Sequence, residues 1–188
     1  MLKKRFLPVI AFASGLAIWS VLAQKSSEIP SAPPLTGWMQ NFTPTAAAGP
    51  ALEGSLLRQD GSSQPLADFR GKLLLINFWA TWCAPCIREM PSLQRLQAMR
   101  GGEDFTVIAL SQDFQGWNKV APFLERYDLS GLPVYVDEQT RIARSVRVTG
   151  LPATILLDRE GKILGRLTGI AEWDSPEAVA LIDYYVGR

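Results

Sequence analysis

Histidine is absent from the 188-residue chain, and cysteine occurs only at Cys83 and Cys86. Without an imidazole the chain alone cannot build Ser-His-Asp or Cys-His catalysis, a His-liganded zinc or haem site, or a histidine pH switch. Two thiolates do not complete a tetrahedral zinc site without carboxylates or a second chain. An excess of one charge sign is lacking too. Nineteen Lys and Arg face 18 Asp and Glu, a net charge of +1, which argues against a nucleic-acid partner held by phosphate neutralisation. Three of the positives are Lys3, Lys4 and Arg5, which leaves 16 against 18 over the remainder. With 47% apolar and 20% charged residues, what is present suffices for one ordinary domain with a real core.

The long uncharged run lies at the start. Phe6 to Ala23 gives eighteen mostly apolar residues behind the basic cluster, near the short end for spanning a bilayer and long for a signal-peptide core. An uncleaved anchor over 1–23 is expected. A signal cleaved after Val21-Leu22-Ala23 and a buried structural helix are the alternatives. Under the first two the basic cluster stays cytoplasmic and everything beyond Ala23 is exported. Residues 24–51 hold Pro30, Pro33, Pro34, Pro44 and Pro50 among Ser, Ala and Thr, and read as a tether with an r.m.s. span of about 30 Å. Within it Leu35, Trp38, Met39 and Phe42 form a short apolar stripe, expected to pack locally on the tether or the domain.

From Leu52 to residue 188 short apolar runs alternate with helical stretches. Leu56-Leu57 and Pro65-Leu66 flank Asp60-Gly61, the signal of a hairpin. Leu73 to Ala80 is continuously apolar except for Asn77, as in a strand covered on both faces. Residues 86–100 read as a helix with Leu93, Leu96 and Met99 at core spacing, ended by Gly101-Gly102. Phe105–Leu110 and Pro133–Val136 read as strands, with helices over Trp117–Tyr127 and Gln139–Val146. Ala153–Asp158 and Ile163–Thr168 are two strands joined at Glu160-Gly161. Ser175 caps a last helix that starts at Pro176 and turns Val179, Ile182 and Val186 inward. The alternation predicts an α/β sandwich on a largely parallel sheet with an antiparallel edge hairpin. No internal repeat is present.

The chemistry concentrates in Trp82-Cys83-Ala84-Pro85-Cys86, directly after the buried strand and at the start of a helix. A helix N-terminus presents unpaired N–H groups and the positive end of the dipole, which favour a thiolate on Cys83. Cys86, one turn on, would be less exposed and close enough to resolve a mixed disulfide, so that the pair cycles between dithiol and disulfide. A structural disulfide and metal ligation are the competing uses of such a pair. The first gains little entropy from so small a loop.

Phe78-Trp79-Ala80-Thr81-Trp82-Cys83-Ala84-Pro85-Cys86 resembles a thioredoxin-fold active site, and Gly150-Leu151-Pro152-Ala153-Thr154 resembles the loop that holds that fold's cis-proline. Leu66-Ala67-Asp68-Phe69-Arg70-Gly71-Lys72 and Arg88-Glu89-Met90-Pro91 are similar to segments of the TlpA/ResA-type reductases, which are membrane-anchored, exported thiol–disulfide oxidoreductases. The resemblance covers about residues 52–188. It implies a thioredoxin-like fold with a central mixed sheet, an N-terminal hairpin, and an inserted helix and strand at 117–136 between the active site and the cis-proline.

The resemblance also assigns roles. Cys83 is the nucleophile and Cys86 the resolving thiol, joined when oxidised. Pro152 is the cis-proline, with Leu151 offering its backbone to a substrate strand. Trp82, Ala84 and Pro85 shape the surface that meets the substrate, while Trp79 packs in the core. Thioredoxin's buried aspartate is replaced by Asn77, which does not titrate, and the proton acceptor passes to Glu89, three residues after Cys86. A solvated surface carboxylate is the plainer use of Glu89. Pro91 lies inside the helix and should kink it.

These residues imply a disulfide reductase facing the periplasm from the inner membrane, with neither cofactor nor metal, and expected as a monomer. Its partners would be disulfide-bearing exported proteins, such as apocytochrome c or the copper chaperone or copper-site subunit of a terminal oxidase, and a thiol electron donor on the membrane side. A disulfide oxidase of the same fold and a Cu(I) carrier using both thiolates are the alternatives. An antioxidant, peroxiredoxin-like role ranks below them because the Thr-x-x-Cys site is missing.

Overall fold

The computed structural model describes residues 32–33, 35–45 and 49–188. The expected anchor over 1–23 lies outside them. Among the described residues no helix is long and apolar enough to cross a membrane.

The chain forms β1 (Thr43–Pro44), the hairpin β2 (Ser55–Leu57) and β3 (Ser63–Pro65), then β4 (Leu73–Trp79), α1 (Ala84–Arg100), β5 (Phe105–Ser111), α2 (Trp117–Tyr127), β6 (Val134–Val136), α3 (Arg141–Ser145), β7 (Ala153–Leu157), β8 (Ile163–Thr168) and α4 (Pro176–Val186). The strands build one mixed sheet in the order β1-β8-β7-β4-β5-β6-β2-β3. This is a thioredoxin-like α/β fold, with α2 and β6 forming the inserted helix and strand. The parallel part is smaller than the alternation predicts. Only β4–β5 and β5–β6 pair in parallel, and the other five pairings are antiparallel. Two of the five, β2–β3 and β7–β8, are hairpins that need no crossover helix, while β1–β8, β2–β6 and β4–β7 join strands distant in the chain.

The apolar run of β4 divides by the period-two rule. Leu73, Leu75 and Trp79 face a core shared with α1, α2 and α4, while Leu74, Ile76 and Phe78 face a second core with α3 and Leu66. Asn77 belongs to the α1 side by the same alternation. The predicted core position Met99 is not one: it is 47% exposed near the end of α1, and Met90, Leu93 and Leu96 carry the buried face.

One further segment packs as its apolar stripe led to expect, and another departs from the sequence reading. Part of the Pro-rich stretch packs on the domain: Met39 and Phe42 are buried, β1 pairs with β8, and the Thr45 N–H donates to the Leu164 carbonyl at 2.7 Å. A side chain at Gly165 would run into the Phe42 ring, so the glycine opens the space that this segment fills. The helix expected over 139–146 is instead broken at its start. Gln139 and Thr140 both hold positive φ, and α3 begins at Arg141 with Asp137 accepting from the Ile142 and Ala143 N–H groups at 3.0 and 2.9 Å.

Candidate active site

β4, in the middle of the sheet, ends at Trp79, and the next four residues turn the chain into α1. Cys83 is the N-cap of that helix, with extended backbone, and its Sγ accepts from the Cys86 N–H at 3.3 Å. A sulfur at an N-cap meets the orphan N–H groups and the positive helix end, both of which favour a thiolate. Pro85, in the first turn, has no N–H to leave unpaired. Cys83 and Cys86 are joined as a disulfide with their Cα atoms 5.3 Å apart. Both are buried, Cys83 at 5% exposure and Cys86 at 0%.

A groove of about 720 Å³ opens over the pair, lined by Trp82, Cys83, Ala84 and Pro85 and by Arg144 and Leu151. Cys83 reaches it and Cys86 does not. Trp82 stands 70% exposed on the rim, and Trp79 is fully buried beneath. The Leu151–Pro152 bond is cis, placing Leu151 in the groove wall just ahead of β7. The predicted groove residues therefore come together around one sulfur.

Glu89 is no surface carboxylate. It is 1% exposed on the inward face of α1, one turn beyond Cys86. Its Oε1 accepts from Asn77 Nδ2 at 2.6 Å and its Oε2 from the Ala171 N–H at 3.1 Å. Burial pushes its carboxyl up from an ordinary 4.5 to about 7, and the hydrogen bonds from Asn77 and Ala171 pull the other way without prevailing. The same Asn77 amide donates to Thr154 Oγ1 at 3.0 Å, which ties the acid's pocket to the first residues of β7 after the cis bond. Pro91 lies inside α1, and next to it the Ser92 hydroxyl donates to the Glu89 carbonyl and accepts from the Trp173 N–H.

Sequence reasoning missed Asp113. This buried acid at the carboxyl end of β5 accepts from the Thr81 N–H at 2.9 Å, the Thr81 hydroxyl at 2.6 Å and the Ser111 hydroxyl at 2.9 Å. It holds the turn that presents Trp82 and Cys83. Its position, one strand away from the cysteines at the same end of a parallel pair, is where such sheets usually place functional groups. Arg144 was missed as well, since only the fold turns it into the groove. Among the described residues no three His, Cys, Asp or Glu side chains group so as to hold a metal ion.

The family described as Redoxin matches residues 35–182. A thiol-disulfide oxidoreductase ResA of Geobacillus thermodenitrificans is 34% identical over 127 residues, which cover 68% of this chain and 72% of that one. The ResA of Geobacillus kaustophilus is 31% identical over 71% of this chain and 76% of its own. Among solved structures, one assigned as a thiol:disulfide interchange protein DsbE from Chlorobium tepidum aligns with a TM-score of 0.66 at 27% identity, over 74% of this chain and 97% of that chain. The pneumococcal exposed lipoprotein thioredoxin Etrx1 aligns at 0.56 and 26%, over 70% and 97%.

Proposed function

The chain belongs to the Redoxin family and is a thiol–disulfide oxidoreductase, and from that premise we propose that it reduces disulfides in exported proteins while tethered to the membrane by residues 1–23. One observation carries the direction of attack: of the two sulfurs, only Cys83 opens onto the groove. In the reduced protein the Cys83 thiolate attacks a substrate sulfur. A mixed disulfide forms and the first substrate thiolate leaves. Cys86, deprotonated by the buried Glu89 carboxylate, then attacks Cys83 Sγ. The second substrate thiolate leaves, the Cys83–Cys86 bond closes, and two electrons have passed to the substrate. A carboxyl that titrates at about 7 suits this transfer, because it is ready both to take the Cys86 proton and to give it up.

Leu151, on the groove wall beside the cis bond, offers its backbone to an extended substrate segment, and Trp82, Ala84 and Pro85 form the surface it crosses. The outward placement is supported by the basic cluster Lys3, Lys4 and Arg5 ahead of an uncharged run, and by a relative described as an exposed lipoprotein. Exported c-type apocytochromes and copper-site proteins are the substrates the resemblance favours, with re-reduction by a membrane-side thiol donor.

The reduction potential of the Cys83–Cys86 couple, equilibrated against glutathione or dithiothreitol buffers, tests the direction. A value below about −200 mV is expected, toward the thioredoxin end of the scale, and one near about −120 mV would make the protein an oxidant.

A further inference from the structure

Four surface arginines have carboxylate partners: Arg70 with Glu53, Arg95 with Glu172 and Asp174, Arg100 with Asp183, and Arg159 with Asp104. Arg58, Arg88 and Arg126 are exposed without an ion pair among the described residues, and the edge of the active-site groove gathers three more such arginines within seven residues. Arg141, Arg144 and Arg147 recur at every third residue along α3 and the turn after it, and all three are exposed. Among the described residues none of them has a carboxylate within ion-pair distance. Arg144 lines the groove together with Cys83 and Leu151. Arg147, held at a φ of 57°, leads directly into the residues 148–151 that form the same wall.

The acids that the fold brings into this neighbourhood are already engaged or stand apart. Asp137 is taken by the N–H groups of Ile142 and Ala143, and Asp113 by Thr81 and Ser111. Glu138, exposed on the turn before α3, makes no ion pair with the three arginines. Like charges three residues apart on a helix repel, and here nothing described offsets that cost. The groove is otherwise lined by uncharged residues, Trp82, Ala84 and Pro85 among them. A polypeptide crossing the sulfur would thus meet uncharged lining residues and a row of guanidinium forks without carboxylate partners, of which Arg141 donates to Gln139 Oε1 at 3.1 Å, and whose geometry matches carboxylates.

We propose that Arg141, Arg144 and Arg147 read acidic side chains flanking the target cystine, so that the preferred substrate is an extended protein segment carrying Asp or Glu within a few residues of its disulfide. This rests on the reading of the chain as a reductase of protein disulfides and adds a substrate class to it. The electron transfer is the two-step exchange already described, and the arginines act on which substrate docks.

The test uses the full chain, reduced, and three disulfide-bonded peptides that are identical except for Asp, Asn or Lys at the flanking positions. The Asp peptide is expected to be reduced about tenfold faster than the Asn peptide at low ionic strength, with the Lys peptide slowest. The advantage should shrink toward unity in about 0.5 M salt, where exposed charges are screened. It should also vanish in the triple variant Arg141→Gln, Arg144→Gln, Arg147→Gln, and reverse in favour of the Lys peptide in Arg144→Glu, Arg147→Glu. Arg126→Gln, on α2 and outside the groove lining, should keep the ratio. Each ratio is taken within one preparation, so a variant with less folded protein does not distort it. Equal rates for the three peptides on the unmodified chain overturn the proposal alone, as does an Asp preference that survives the triple substitution. If none of the peptides is reduced, the protein-disulfide reading itself falls and the proposal with it.

Discussion

The two sides of the disulfide are built on opposite principles. Inward, toward α1 and β4, a single acid sits in a nearly dry pocket with two hydrogen bonds to its carboxylate, and burial lifts its titration to about 7. Outward, along α3 and the turn after it, three arginines stand in solvent without counter-charges among the described residues. A charge that is hard to hold belongs where a proton must be moved, because its energy responds to protonation. A charge left free at the surface belongs where a partner must be chosen, because its energy responds to what arrives. Substitutions on the inner side should therefore change pH dependence and stability, and those on the outer side the choice of substrate.

The largest effect that would break this division is at the sulfurs themselves. Cys86→Ser is expected to stop turnover and leave the chain covalently joined to its substrate through Cys83, seen as a mass shift that dithiothreitol removes. Capture through residue 86 in Cys83→Ser instead would overturn the assignment of the outward sulfur. Next comes Glu89→Gln, expected to slow the resolving step by about 10²-fold and to remove the inflection near pH 7 from the rate profile.

The same variant carries a stability signature with a definite sign. Between an ordinary 4.5 and about 7 the folded chain keeps a proton on Glu89 that the unfolded chain has released. Its contribution is therefore fully present below the lower value, declines as pH rises, and is gone above the upper one, a loss of up to roughly 3 kcal/mol. Denaturant unfolding at pH 5 and pH 8 should show that slope in the native chain and not in Glu89→Gln. A native chain as stable at pH 8 as at pH 5, relative to the variant, would contradict the buried acid. The smallest effect sharpens the link between the two sides: Thr81→Val deletes the hydroxyl bond to Asp113 while keeping the side chain's shape, and should cost about 1–2 kcal/mol by thermal unfolding.

Much of this was legible in the residues because the signals are local. The continuous run of β4, the placement of Cys83 at a helix start and the turn at Asp60-Gly61 depend on neighbours a few positions away, and Glu89 was singled out by the resemblance to the TlpA/ResA-type reductases. Other features need partners far along the chain. That Met39 and Phe42 pack was legible in their spacing, but the surface they pack on was not: β1 beside them pairs with β8, more than a hundred residues later. Gln139 and Thr140 are not residues that announce positive φ, so the break before α3 carried no signal. Met99 keeps helical spacing where the core has already run out. Asp113 and Thr81 are 32 residues apart and meet only once β4 and β5 lie side by side. That Arg141, Arg144 and Arg147 lack carboxylate partners among the described residues is likewise invisible until the strands and helices are in place.

One amide ties the inner side together. Asn77 spends both of its described hydrogen bonds through nitrogen, on Glu89 and Thr154, and its oxygen is buried without a partner. An amide turned by half a rotation exchanges donor for acceptor and keeps its outline. Turned that way, the nitrogen would lie where the oxygen is now buried without a partner and both donations would be lost, so the described orientation is the one that keeps Glu89 and Thr154 joined. An aspartate there would add a second charge to the same buried pocket and force the two to share protons. With asparagine the pocket holds one titrating acid, and its accounting belongs to a single residue.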